Sequence, residues 1–380
     1  MIPIEQLQVR VYTIPTETLE TDGTFEWDET TMVLVNITAG KQTGLGFTYN
    51  HPAAAQIIKD NFISLLEGRN CFDIPALALL MEQNVRNMGK PGIASAAISA
   101  VDIALWDLKA KLMSLPLYQL WGRAREAITV YGSGGFISYT SEQLEQQLDN
   151  WKSHGIDKFK IKIGLNEQED LKRIRQARHV IGPASWLFVD ANGAYGTKQA
   201  LVLARQFQEF GVTWFEEPVP SDAVEGLRFI RDRAPSMDIA AGEYGFDIDY
   251  FRRLLLGGSV DVLQADVTRC GGFTGFMQAA ALAKAFHVPL SSHMAPSLHF
   301  HICLALDQVC HMEYFHDHVR IEHLFFEGGP IMNGGSLYPN LPYRSGLGLD
   351  LKEKDVEKYL IEDQREEYAQ AHGEKALGCP

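Results

Sequence analysis

The chain has 380 residues, of which 46% are hydrophobic and 22% charged, a composition typical of a globular protein with a large core. Its formal net charge of −14, without a local cluster of Lys and Arg, argues against nucleic acid and anionic membranes as partners. The start of the chain has neither the basic leader nor the apolar stretch of a signal peptide. The five cysteines form no C-x-x-C pair. Both observations predict a cytoplasmic protein with reduced thiols.

The first part of the chain is predicted to form strands and then helices, an α+β arrangement. The predicted elements are strands at 4–14, 32–39 and 42–49 and helices at 53–67, 74–87 and 93–113. We assign residues 1–125 to this domain. The acidic segment 353–371 is predicted to be helical, and residues 350–380 are expected to pack back on the domain and complete it.

From about residue 127 the pattern changes to short apolar runs alternating with seven amphipathic segments. The eight runs are ITVYG, FKIKIG, LFVDANG, TWFEEP, DIAAGE, DVLQADV, VPLSSH and CHMEYF. Strands that alternate with helices pair in parallel, because a parallel crossover needs a connection of that length. Eight units predict an α/β fold, a (β/α)8-type TIM barrel at 126–349 behind an N-terminal α+β capping domain, with a doubly wound open sheet as the alternative.

Ionisable residues stand at or near the ends of seven of these runs, 20 to 28 residues apart: Lys162, Asp190, Glu216, Glu243, Asp266, His293 and Glu313. The carboxyl ends of barrel strands form the rim that carries the chemistry of barrel enzymes, so we expect all seven side chains in one ring. A helix cap explains any single one of them equally well. It does not explain lysines inside FKIKIG or a glutamate after TWF, where burial of a lone charge is costly.

Three of these residues, Asp190, Glu216 and Glu243, follow successive strands, and their carboxylates would repel each other without a cation between them. Hard oxygen ligands suit Mg²⁺. Period-two alternation points Lys160 and Lys162 to the same face, and their crowding beside each other and a metal predicts lowered pKa values, so that one can act as a base.

Asp266 and His293 lie one unit apart on the opposite side of the ring. They are predicted to form a carboxylate–imidazole pair.

Together these residues resemble the enolase superfamily and, within it, the mandelate racemase subgroup, over nearly the whole chain. The matching motifs are SAVDIALWDLKAK, Lys160-Ile161-Lys162 with Gly164, Asp190-Ala191-Asn192, Glu216-Glu217-Pro218, Gly242-Glu243, Asp266 ahead of Cys270-Gly271-Gly272, and Ser291-Ser292-His293. The resemblance implies one Mg²⁺ per subunit, with Asp190, Glu216 and Glu243 as ligands. It also implies supporting roles for Glu217 and Asn192.

For proton transfer, the resemblance implies Lys162 as the base on one face of the substrate and His293, paired with Asp266, as the acid or base on the other. Lys160 would neutralise the substrate carboxylate, and Glu313 would hydrogen-bond the ene-diolate. A lysine takes the position of Asp266 in the muconate-lactonising subgroup, which argues against cycloisomerase activity.

The expected reaction removes the proton alpha to the carboxylate of a small-molecule substrate and then expels a beta hydroxyl, giving a 2-keto-3-deoxy acid. The enzyme would then be an acid sugar dehydratase. A racemase or epimerase of a 2-hydroxy acid is the alternative, and a barrel that binds metal without turnover is a further one. An amidohydrolase is disfavoured, because the first run carries no H-x-H pair. We also expect a homo-oligomer.

Specificity is expected to come from the N-terminal domain closing over the rim, with loop 18–27 and residues 48–51 as the lid. The predicted substrate-binding residues are Asn192, Trp27, Phe25 and Tyr49. Eight histidines between 287 and 323 raise the question of a second metal site. We expect most of them at helix surfaces or interfaces instead.

Overall fold

The computed structural model describes residues 1–234, 236–340 and 342–363. Its N-terminal domain has three antiparallel strands, β1 (Gln6–Thr21), β2 (Glu26–Ala39) and β3 (Gln42–Tyr49). The helices that follow are α1 (Ala53–Ile57), a π-helical turn (Ile58–Phe62), α2 (Ile63–Leu66), α3 (Ile74–Asn84), α4 (Ile93–Leu112) and α5 (Leu117–Trp121). The predicted succession of strands and helices is confirmed. The first two strands are longer than predicted, because they continue into a hairpin.

The N-terminal sheet is buried on both faces, as the alternation of its apolar residues requires. On β2, Val33, Val35 and Ile37 belong to the core formed with the domain's own helices. Met32 and Leu34 point the other way and join the core that continues into the barrel. One strand therefore links the two cores.

Helix α4 packs closely against β3 because that strand carries glycine at the contact. A Cβ atom at Gly46 would lie 2.2 Å from the carbonyl oxygen of Ala100, so only glycine allows this approach.

The eight predicted barrel strands are present, and their parallel sheet is closed by pairing of the last strand with the first. They are β4 (Ile128–Gly134), β5 (Lys158–Lys162), β6 (Trp186–Asp190), β7 (Val212–Glu216), β8 (Asp238–Ala241), β9 (Val262–Ala265), β10 (Leu290–Ser292) and β11 (Val309–Phe315). Closure confirms the (β/α)8 barrel and excludes the open sheet.

Helices connect successive strands: α6 (Ser141–Ser153), α7 (Glu167–Ile181), α8 (Thr197–Gln208), α9 (Val224–Arg231), α10 (Ile248–Gly257), α11 (Gly272–Ala285) and α12 (Pro296–Ala305). Local sequence sets their starts. At α6 the Thr140 hydroxyl accepts a hydrogen bond from the Gln143 N–H, and the Gln143 side chain accepts one from the Thr140 N–H.

The last part of the chain returns to both domains. It comprises α13 (His316–Phe325), β12 (Phe326–Glu327), β13 (Ile331–Asn333), β14 (Ser336–Tyr338), β15 (Asp350–Leu351), α14 (Glu353–Val356), a 3₁₀ turn (Glu357–Tyr359) and β16 (Leu360–Asp363). Strand β14 pairs with β4, and β16 pairs with β1. The α-helix predicted at 353–371 is thus wrong at 357–363, and the rest of this prediction, from residue 364 onward, lies outside the described residues. Among the described helices, none has the length and apolar character needed to span a bilayer.

Side chains of α4 join the N-terminal domain to the barrel. The Ser99 hydroxyl accepts hydrogen bonds from the N–H groups of Gly271 and Gly272 at 2.9 and 3.1 Å. Asp102 accepts one from the Thr274 N–H at 3.0 Å and one from its hydroxyl at 2.5 Å. Helix α4 therefore caps the N-terminus of α11, whose own capping position is a glycine. This contact explains Ser99 and Asp102 within the SAVDIALWDLKAK motif.

Candidate active site

Strands β5, β6 and β7 end side by side on Lys162, Asp190 and Glu216. In the parallel register Lys162 lies opposite Asp190, and Asp190 lies opposite Glu216. Glu243 follows β8 by two residues. All four side chains are buried, with at most 4% of their surface exposed. The barrel therefore gathers these predicted site residues at its carboxyl-terminal rim, beneath the N-terminal domain.

The carboxylates of Asp190, Glu216 and Glu243 converge, with one oxygen from each within 4.8 Å of the others. Burial and the charge of Asp190 raise the pKa of Glu216 to about 7. Oε2 of Glu243 lies 3.3 Å from Nε2 of His293 but makes no regular hydrogen bond in the described structure. Mutual repulsion among three buried carboxylates fits a divalent cation, and an all-oxygen donor set suits Mg²⁺ rather than zinc.

Two lysines of β5 contact these carboxylates. Nζ of Lys160 lies 2.7 and 2.8 Å from the two oxygens of Glu216, and Nζ of Lys162 lies 2.5 Å from Oδ2 of Asp190 and 3.1 Å from Oδ1 of Asn192. Burial acts to lower the pKa of both lysines, but the facing carboxylates outweigh it and raise both values. The lowering was predicted for lysines beside a bound metal ion, so it stays a prediction.

His293 lies between two carboxylates. Its Nδ1 atom is 2.9 Å from Oδ2 of Asp266, and its Nε2 atom is 3.3 Å from Oε2 of Glu243. Burial acts to lower the pKa of His293, but Glu243 and Asp266 outweigh it and raise the value to about 9. These two carboxylates therefore favour the protonated imidazole.

Arg269 is a site residue that the sequence analysis missed. Its guanidinium lies 3.6 Å from Oδ2 of Asp266 and 3.6 Å from Oε1 of Glu243, and it donates a hydrogen bond to the Glu243 carbonyl. The signal available in the sequence was an arginine three residues after Asp266, in a loop that follows a strand. Arg269 offsets part of the negative charge of the rim.

Glu313 lies within β11 and contacts both halves of the ring. Its Oε1 atom is 2.7 Å from Nζ of Lys160, and its Oε2 atom accepts a hydrogen bond from the Met294 N–H at 2.7 Å. Glu313 thus links the lysine side of the site to the turn that follows His293.

The lid predicted as a loop at 18–27 is instead a β-hairpin, in which Glu20 pairs with Trp27. Its turn lies against the barrel rim, since a Cβ atom at Gly23 would come within 2.4 Å of the Ala191 carbonyl oxygen. Trp27 packs edge-on against Phe136 of the barrel, with ring centroids 5.6 Å apart. Phe25 stacks on Trp27 and is 67% exposed, and its predicted role in substrate binding stays a prediction.

The other two predicted substrate-binding residues differ in their surroundings. Asn192 lies beside Lys162, in a left-handed backbone conformation with φ of 46°. Tyr49 is buried at the end of β3, and its ring stacks on His318 with a centroid distance of 3.6 Å. No hydrogen-bond partner for its hydroxyl is found in the described residues.

The expectation that most histidines of 287–323 lie at helix surfaces or interfaces is wrong, because five of the eight are buried. These are His293, His299, His301, His311 and His318. His299 accepts a hydrogen bond from the Val267 N–H at 2.9 Å, next to Asp266. In the described residues, the acidic triad is the one cluster with distances suitable for a metal, so these histidines form no second metal site there.

Comparison with known proteins matches both domains. Residues 16–122 match the N-terminal domain of the mandelate racemase/muconate lactonizing enzyme family, and residues 143–355 match the enolase C-terminal domain-like family. The 3,6-anhydro-alpha-L-galactonate cycloisomerase of Streptomyces coelicolor is 32% identical over 92% of this chain and 97% of its own length. The cycloisomerase name weakens the argument drawn from Asp266 against that activity.

Two solved structures show the same similarity. A mandelate racemase/muconate lactonizing enzyme-like protein from Rubrobacter xylanophilus is 45% identical, with a TM-score of 0.92 over 94% of this chain and 100% of the other. The L-talarate/galactarate dehydratase of Salmonella typhimurium, liganded with Mg and L-lyxarohydroxamate, is 27% identical, with a TM-score of 0.88 over 95% and 94% of the two chains.

Proposed function

The chain belongs to the mandelate racemase/muconate lactonizing enzyme family of the enolase superfamily, and from that premise we propose that it dehydrates a sugar acid to a 2-keto-3-deoxy acid. Enzymes of this group are lyases or racemases, and Mg²⁺ is the cofactor that the acidic triad binds. The observation that carries the proposal is the position of Lys162 and His293 on opposite sides of that triad, each in contact with one of its carboxylates.

The first step breaks the bond between the alpha carbon and its hydrogen, and the proton passes to Nζ of Lys162. The remaining electron pair shifts toward the substrate carboxylate, whose negative charge Lys160 neutralises. Glu313 can hydrogen-bond the ene-diolate only when its carboxyl group is protonated, because a carboxylate donates no hydrogen bond. Mg²⁺, when bound, stabilises the same charge and offsets the carboxylate of Asp190, which otherwise favours protonated Lys162. The charged groups of the rim are thus in position before the negative charge of the ene-diolate develops.

The second step breaks the bond between the beta carbon and its oxygen. His293 donates a proton to the departing hydroxide, which leaves as water, and the resulting enol tautomerises to the 2-keto acid. The contact of Nδ1 with Asp266 favours the protonated imidazole that this acid role needs and fixes the ring orientation.

Cycloisomerisation of a sugar acid is the second candidate. The relative from Streptomyces coelicolor that carries this name aligns over almost its whole length. The same alpha-proton abstraction would serve both reactions, so only the substrate's leaving group separates them. A racemase would need a substrate without a beta leaving group.

A substrate panel tests the proposal. The Mg²⁺-loaded enzyme is incubated with sugar mono- and diacids, their anhydro and lactone forms, and simple 2-hydroxy acids, and assayed for 2-keto product and for alpha-deuterium exchange in D₂O. Keto product from an open-chain sugar acid supports the dehydratase, product only from a cyclic form supports the cycloisomerase, and exchange without product supports a racemase.

Two matched variants make the panel decisive. Lys162→Ala should abolish both exchange and product. Lys158→Ala changes a lysine of the same strand that pairs with Asp157 away from the rim, and it should leave both signals intact. Equal activity of the two variants would contradict the role of Lys162.

The same proposal covers three general properties. We place the protein in the cytoplasm, which the free thiols of the described cysteines support. We propose a homo-oligomer. We also propose a division into a capping domain at 1–125, completed by 350–380, and a barrel at 126–349, which the pairing of β16 with β1 supports.

A further inference from the structure

The turn that follows His293 has an unfavourable backbone conformation. Met294 and Ala295 have φ values of 55° and 39°, in the left-handed region that residues with a side chain rarely adopt. Ala295 is also the capping residue of α12, and its side chain cannot accept a hydrogen bond from the helix. Contacts from outside the turn must therefore hold this strained backbone in place.

Those contacts come from three acceptors on β11 and α13. Oε2 of Glu313 accepts from the Met294 N–H at 2.7 Å, Nδ1 of His318 accepts from the Ala295 N–H at 3.3 Å, and Oε2 of Glu322 accepts from the Ser297 N–H at 2.8 Å. Each acceptor side chain is buried. The turn is therefore held at three successive points along its backbone.

His318 differs from the other two acceptors because the N-terminal domain holds its ring. Tyr49 stacks on the imidazole at 3.6 Å with an interplanar angle of 25°, and Phe315 packs edge-on at 5.1 Å. Burial lowers the pKa of His318 to about 3, so the ring stays neutral and Nδ1 keeps the lone pair that accepts the hydrogen bond.

We infer that His318 is a positioning residue for catalysis: its Nδ1 atom holds the left-handed turn that orients His293, and Tyr49 of the N-terminal domain holds the His318 ring. The expected effect on kcat rests on the proposed function, because it assumes that His293 acts in the reaction. It assigns part of the orientation of His293 to the capping domain. A displaced imidazole would still bind beside Glu243 but would no longer reach the departing hydroxyl.

Three substitutions of His318 distinguish a role of its Nδ1 atom from a role of its Nε2 atom. Asn places an amide oxygen near the position of Nδ1, Gln places its amide near the position of Nε2, and Leu offers no acceptor at either. His318→Asn is therefore expected to keep kcat within about threefold of the wild type, while His318→Leu and His318→Gln lower kcat by about 30-fold or more. KM should change by less than about threefold, because substrate contacts are retained.

Exchange at the alpha carbon provides a readout that general destabilisation would not produce. Lys162-dependent deuterium exchange should persist in His318→Leu while the His293-dependent release of water slows. The rise in Tm that Mg²⁺ produces should be unchanged in all three variants, because the acidic triad is intact. If His318→Leu does not fold, the comparison of His318→Asn with His318→Gln still tests the role of Nδ1.

A measurement without turnover separates this inference from the proposed function. In protein labelled with ¹⁵N-histidine, the ring resonances of His293 should shift in His318→Leu and His318→Gln but stay near the wild-type values in His318→Asn. If the wild-type protein turns over no sugar acid, the proposed function is overturned. The spectrum then still tests whether His318 orients His293. Unshifted resonances in all variants, or rescue by Gln rather than Asn, would overturn the role of Nδ1.

Discussion

The Nδ1 atom of His293 lies 2.9 Å from Oδ2 of Asp266, and both groups are buried at the ends of neighbouring strands. The carboxylate fixes the tautomer and orientation of the imidazole and stabilises its charged form. Asp266→Asn should therefore lower kcat by about 10²-fold or more with a small change in KM, measured as 2-keto product from the active sugar acid. Asp307→Asn, which removes an exposed carboxylate paired with Lys284, is the control. Equal kcat for the two variants would contradict the pair.

The acidic triad predicts a measurable metal affinity. Mg²⁺ at about 100 times its Kd should add about 2.7 kcal/mol to the free energy of unfolding of the EDTA-treated wild type. Glu216→Gln should lose most of this increment, because one anionic ligand becomes neutral. The indole of Trp214 donates a hydrogen bond to Glu216 at 3.0 Å, and Trp214→Phe should weaken Mg²⁺ binding by about tenfold in calorimetry. Wild-type affinity in Glu216→Gln would refute the assignment of this ligand.

Asp102 should matter for stability rather than for chemistry. Asp102→Ala leaves the half-buried N–H and hydroxyl of Thr274 without this acceptor and should lower the free energy of unfolding by about 1 to 3 kcal/mol in urea. Asp60→Ala, an exposed change in the same domain, should cost less than about 0.5 kcal/mol. Similar values for both variants would show that the contact between α4 and α11 contributes little.

Glu20, in the lid hairpin, predicts a pH dependence of stability. Burial, together with the charge of Asp317, raises its pKa from 4.5 to about 9. Between those values the folded protein keeps a proton that the unfolded chain releases, so the free energy of unfolding should fall as pH rises. Glu20→Gln should flatten this slope, measured as Tm between pH 5 and pH 9. An unchanged slope would mean that Glu20 is ionised in the folded state.

Trp27 tests the role of the hairpin in specificity. Trp27→Ala removes the contact with Phe136 that holds the lid against the barrel, and KM for the active sugar acid should rise by about tenfold or the preferred substrate should change. Phe25→Ala alters a side chain that is 67% exposed and should have a smaller effect. Unchanged kinetics across the substrate panel in Trp27→Ala would remove the hairpin from substrate recognition.

Much of the site followed from strand periodicity alone. Residues at equivalent ends of parallel strands must share one rim, so the spacing of Asp190, Glu216 and Glu243 was enough to predict the metal cluster. The same rule placed His293 beside Asp266. The closed barrel followed from the count of alternating runs, since each helical connection forces the next strand to be parallel.

Contacts between the two domains could not be predicted from the sequence. Asp102 and Thr274 are 172 residues apart, and nothing in local periodicity shows that α4 caps α11. Tyr49 and His318 meet only because the sheet of one domain docks on the barrel of the other. The direction of the lysine pKa shifts was likewise set by how many carboxylates face Lys160 and Lys162 across the rim. The sequence by itself determined which residues lie on the rim, because the geometry of strands and helices repeats along the chain. The contacts that those residues make were decided by tertiary packing, because they depend on where separate elements come together.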